Sequence, residues 1–119
     1  MRVWIPVTAQ QISEFKNSNV LVATAGYAVT EDWAQSWDEA DPDVLEAEIL
    51  QAAGTESRLV VVAECLAEVE NSETGQISIS NSIAKAQIQA IFAAKAAEPE
   101  DFLWFGPTEP DEALVWHSS

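Results

Sequence analysis

The sequence predicts a single α+β domain, an open mixed sheet with helices packed mainly on one face. Three observations carry that expectation. Short β-rich runs alternate with helix-patterned stretches along the chain. Apolar residues make up 48% of the 119, with five tryptophans, a composition suited to a buried core and unlike that of a disordered chain. The strongest elements run strand, helix, strand, strand, helix, strand, the order of a ferredoxin-like split βαβ core, here with an inserted helical region. No linker separates two domains, so residues 1–109 are expected as one body and residues 110–119 as a C-terminal tail.

Each element has its own local reason. MRVWIPV alternates Val3, Ile5 and Val7 on one side with Arg2 and Trp4 on the other, a strand stopped near Pro6. Thr8 and Gln11 have capping-box spacing, and Ile12 and Phe15 share one helical face. VLVATAGYAVT is a β-rich run in which Gly26 suggests a bend or bulge. Thr30 caps a second helix, with Glu31 and Asp32 in its first turn and Trp33 and Trp37 one turn apart. Asp41 and Pro42 open a third, which presents Leu45, Ile49, Ala52 and Ala53 inward and stops at Gly54. Leu59 to Ala63 are continuously apolar, as in a central strand covered on both faces. QISIS alternates and is expected as that strand's antiparallel neighbour. Ala84, Ile88, Ile91 and Phe92 form a helical stripe closed by Pro99. DFLWF is the last strand, with Phe102, Trp104 and Phe105 building core around it.

Several function classes fall away. No apolar run approaches the roughly 20 residues of a bilayer span, and MRVWIPVT lacks the composition of a signal peptide. A single cysteine, Cys65, permits no internal disulfide, which fits a reducing cytoplasm. Twenty acids against five bases give a net charge of -15, a field that repels nucleic acid and anionic lipid. DEADPD has no glycine and carries a proline where a calcium loop must coil, while Cys65 and His117 fall short of a zinc set. With four scattered glycines there is no phosphate-cradling loop, and His117 lies near the chain end. No metal, cofactor or catalytic set is expected, which favours a non-enzymatic role.

Four stretches resemble a family of uncharacterised small proteins found mainly in actinobacteria: MRVWIPVT, GYAVTEDW, RLVVVAE and DFLWFGPTE. The shared pattern is an M-R-V-aromatic-x-P start, an A-V-T segment, a V-V-V-A strand and a terminal L-W-aromatic strand. The resemblance implies an architecture and a bacterial origin. It implies no activity.

The charge is concentrated. From Glu31 to Glu64 there are ten acids and one base, Arg58. Trp33 and Trp37 beside Asp38, Asp41 and Asp43 have the composition of a binding face for a basic protein, aromatic anchors inside a charged rim. The expected function is therefore an acidic interaction module, with nucleic-acid mimicry, carboxylates standing for phosphates, as a special case. One alternative is a small ligand-binding domain or enzyme with a carboxylate site at Glu64, which continues the apolar run and has Arg2 as a candidate partner. A simpler reading makes Glu64 the strand's exit to solvent. A third alternative is a highly soluble domain whose acids only prevent association.

Overall fold

The computed structural model describes residues 1–37, 41–80 and 82–119. In the first half, β1 (Arg2–Pro6) leads into α1 (Ala9–Ser18), the short strands β2 (Val20–Leu21) and β3 (Ala25–Tyr27), then α2 (Glu31–Ser36) and α3 (Pro42–Gly54). The second half holds β4 (Leu59–Glu64), β5 (Glu68–Asn71), β6 (Gln76–Ser78), β7 (Ile83–Ala84), β8 (Ile88–Lys95), β9 (Glu98–Phe105) and α4 (Pro110–Ser118). A single 3-10 turn, Lys85–Gln87, precedes β8.

Local chemistry fixes the helix starts as expected. The Thr8 hydroxyl accepts the Gln11 amide at 3.1 Å, and the Gln11 side chain accepts the Thr8 amide at 2.8 Å, so both halves of the capping box form. Thr30 caps α2, and Asp41 caps α3 with Pro42 at its first position.

Seven strands form one sheet in the order β5-β6-β3-β1-β4-β8-β9, and β2 pairs with β7 in a separate ladder. The described ladders are all antiparallel, which replaces the mixed sheet expected from element order. They contain no parallel central pair of the kind a split βαβ unit needs. QISIS supplies β6, which pairs with β3 and β5 and not with the central strand β4.

Helices cover both faces of the sheet, not mainly one. On one face Ile12 and Phe15 of α1 and Ala113 of α4 pack with Val3, Ile5, Leu59, Val61 and Ala63. On the other, Trp33 of α2 and Leu45, Ile49 and Ala53 of α3 pack with Trp4, Val60 and Val62. A strand apolar at every position from Leu59 to Ala63 exposes apolar surface in both directions, so both must be covered. Residues 110–119, expected as a tail, are mostly α4, whose Ala113 is fully buried.

The segment expected as a helix around Ile88 and Ile91 is strand β8. Its register against β4 shifts between Val62 and Ala63: Val62 lies opposite Ala90 and Ala63 opposite Ile88, leaving Gln89 as an extra residue. That bulge puts Ile88 and Ile91 on the same face although they are three residues apart. Three-residue spacing is also the mark of a helical stripe, so the bulge imitates one. Pro99 does not end a helix; it lies in β9, at the sheet edge, where a missing amide is tolerated. At this edge Trp104 is 57% exposed, while Phe102 and Phe105 pack partly against the two cores.

Gly26 marks a close approach and no bulge in the β3–β6 ladder. A Cβ there would meet the Trp4 carbonyl oxygen at 2.8 Å. Gly75 sits at φ +80, in the left-handed region, and closes the turn between β5 and β6.

Candidate functional site

The acidic face expected around Trp33 and Trp37 is built by α2 and the start of α3. Thr30 accepts the Trp33 amide at 3.2 Å and donates its hydroxyl to the Ser72 carbonyl. The Ser72 hydroxyl in turn donates to the Asp32 carboxylate at 2.6 Å. These bonds tie the short helix α2 to the turn before β6. Asp41 accepts the Asp43 amide at 3.0 Å and so holds the first turn of α3.

The two tryptophans divide their labour. Trp33 is 6% exposed and belongs to the core beside Leu45 and Ile49. Trp37, at the C-cap of α2, is 45% exposed. Their ring centroids lie 5.7 Å apart with the planes tilted by 54°, within the range of favourable aromatic pairing. Trp33 therefore acts as the footing on which Trp37 is displayed. Asp43 and Val44 are exposed at the start of α3, whereas Asp38 lies outside the described residues. Farther along α3, Glu46 is taken up by Arg2, whose guanidinium donates to both carboxylate oxygens at 2.9 and 3.1 Å.

Glu64 stands at the exposed end of β4, directly across the ladder from Arg2. Arg2 turns instead to Glu46, and the partner of Glu64 is the N-terminal ammonium at 3.0 Å. The adjacent Cys65 is buried, and desolvation pushes its thiol up from the ordinary value. That is the environment of a packing residue, not of an activated nucleophile.

A second concavity was not foreseen in the sequence. A cavity of about 820 Å³ opens where β4 begins, between the start of α1, the end of α3, the first residues of β9 and the last turn of α4. Thr8, Glu56, Arg58, Glu100 and His117 line it. Arg58 is half-buried and has no carboxylate within salt-bridge distance among the described residues; one guanidinium nitrogen donates to the His117 carbonyl at 3.5 Å. Glu56 accepts the Tyr27 hydroxyl at 2.6 Å, a bond that, with burial, raises the phenol above its ordinary value. His117 is held below the usual imidazole value by desolvation first and by the charge of Arg58 second. Its Nδ1 is buried with no hydrogen-bond partner.

Among the described residues no three His, Cys, Asp or Glu side chains cluster as metal ligands, and no helix is long and apolar enough to cross a membrane. Residues 1–103 match the model of a family of unknown function, DUF6912. The match takes in three of the four stretches quoted above and stops inside the fourth, before Trp104. No curated protein and no solved structure matches the chain.

Proposed function

The chain belongs to DUF6912, a family of unknown function, and we propose that it is a non-enzymatic interaction module whose acidic α2–α3 face binds a basic protein partner. The observation that carries this reading is Trp37, an exposed indole packed at a tilt against a core-anchored one and neighboured in sequence by carboxylates. A ring already held by its neighbour loses little freedom when a partner covers it, which is what makes exposed tryptophans effective anchors. The surrounding acids add long-range attraction for a basic surface and raise its association rate.

Glu31, Asp32 and Asp43 are exposed on this face, with Asp41 as the cap between the helices and Asp38 beside them in the sequence. A partner that normally grips phosphates would meet carboxylates here, so nucleic-acid mimicry is the sharper form of the proposal. A cytoplasmic setting, in keeping with the free thiol of Cys65, would supply such partners.

The test is affinity capture with two baits, wild type and Asp41→Asn/Asp43→Asn, washed at low and moderate salt. Asparagine caps helices as well as aspartate, so the variant removes charge and keeps α3. Basic proteins retained by the wild type, lost from the variant and released by salt are the expected result. Equal retention by both baits would refute the proposal.

A further inference from the structure

The cavity at the start of β4 has a charge pattern of its own. In a molecule with twenty carboxylates and five basic side chains, Arg58 lies half-buried in a concave site with no carboxylate partner among the described residues. Of the other four bases, three are engaged, Arg2 with Glu46, Lys16 with Asp111 at 2.6 Å, and Lys95 over the Trp116 ring at 3.9 Å, while Lys85 is exposed outside the cavity. A guanidinium has five N–H donors, and Arg58 uses one of them on the His117 carbonyl, at the long distance of 3.5 Å. The remaining donors are available to a ligand's anionic group, which guanidinium binds in two-pronged fashion.

The opposite charge lies in the same cavity. Glu56 and Glu100 line it together with Arg58, and both are exposed. A purely anionic ligand would meet these two carboxylates and the field of the whole molecule. A purely cationic one would meet Arg58. A molecule carrying both charges satisfies both, with its acid on Arg58 and its amine toward Glu56 and Glu100. Space permits it, since about 820 Å³ lies within the usual range of small-molecule sites. Polar groups that could compete are already spent inward: the Thr55 hydroxyl donates to the Ala52 carbonyl and the Ser57 hydroxyl to the Val7 carbonyl.

We infer that this cavity binds a small zwitterion, a molecule with a carboxylate or phosphate at one end and an ammonium group at the other. The inference does not depend on the acidic face, from which it is distinct in residues and in chemistry.

Amide chemical shifts of the full chain, titrated separately with L-alanine, glycylglycine and O-phosphoethanolamine, test it, with acetate, inorganic phosphate and ethylamine as single-charge controls. At least one zwitterion should shift Ala9, Arg58 and His117 in a saturable way below about 10 mM, with each single-charge control at least about tenfold weaker. Alanine or the peptide without phosphoethanolamine would assign the acid as carboxylate, and the reverse as phosphate. Arg58→Gln should abolish saturation, and Glu100→Gln, at an exposed position, should weaken the zwitterion while leaving acetate unchanged. No saturable shift with any zwitterion, acetate or phosphate binding as tightly, or an affinity insensitive to Glu100→Gln would overturn the inference.

Discussion

Trp33 and Trp37 are one residue type in one short helix, and their burial separates what each can do. Removing the Trp33 ring empties a site packed by Leu45 and Ile49 and should cost about 3–5 kcal/mol of stability. Removing the ring of Trp37, nearly half exposed but paired with Trp33, should cost less, about 1 kcal/mol. Its loss should nonetheless weaken partner binding by about 2 kcal/mol, the size of an interface anchor. Denaturant melts and dissociation constants on Trp33→Ala and Trp37→Ala measure the two effects; a Trp37 variant that binds like wild type would remove the anchor from the account. His117 makes a separate prediction at this scale. Because burial and then Arg58 lower its folded value from 6.5, the unfolded chain takes up the proton first as pH falls. Its contribution is neutral above that value and destabilising below it. Replacing His117 by Gln should flatten the stability–pH curve on the acid side, and an unchanged curve would show that the ring titrates as a solvated imidazole.

At the scale of elements, the bulge at Gln89 decides how β8 faces the two cores. Deleting Gln89 would restore a simple ladder with Ile88 still opposite Ala63, so Ile88 would keep its place in the α1–α4 core. The expected cost is therefore below the roughly 2 kcal/mol of a core isoleucine losing its site; a deletion variant whose denaturation midpoint shows a larger loss would contradict this reading. The same bulge explains why the segment carries the sequence pattern of a helix. Period 2 with one inserted residue leaves Ile88 and Ile91 at helical spacing, and nothing local distinguishes the two. Elements with explicit punctuation were legible: Thr8 with Gln11, Thr30, and Asp41 with Pro42 each stand where their helices begin. The Trp37 face was legible for the same reason, because its residues are consecutive. The cavity was not, since Thr8, Arg58 and His117 meet only once α1, β4 and α4 are placed around the sheet. Gly26 was legible as special but not in its cause, which is the backbone of β1 and thus a tertiary fact.

For the whole molecule, the question is whether a charge of -15 works as a sum or as a pattern. Part of it guards the sheet: edge strand β5 carries Glu68 and Glu70, and edge strand β9 carries Glu98, Glu100 and Asp101 around Pro99. Charge and proline on exposed edges discourage strand addition between molecules. The carboxylates of α2 and α3 lie on the helices that cover one face of the sheet and neighbour the exposed Trp37 in the sequence. The edge acids therefore provide an internal control for the central claim. The direct measurement is the dissociation constant of the captured basic partner, across about 50 to 200 mM salt, for three proteins. They are wild type, Asp41→Asn/Asp43→Asn, and Glu98→Gln/Glu100→Gln, the last two altered by the same net charge. The face-specific account predicts that the Asp41/Asp43 variant binds at least about tenfold more weakly at low salt, with a shallower salt dependence, while the edge variant stays within about twofold of wild type. Equal weakening by both variants would show that only total charge matters, and would contradict it.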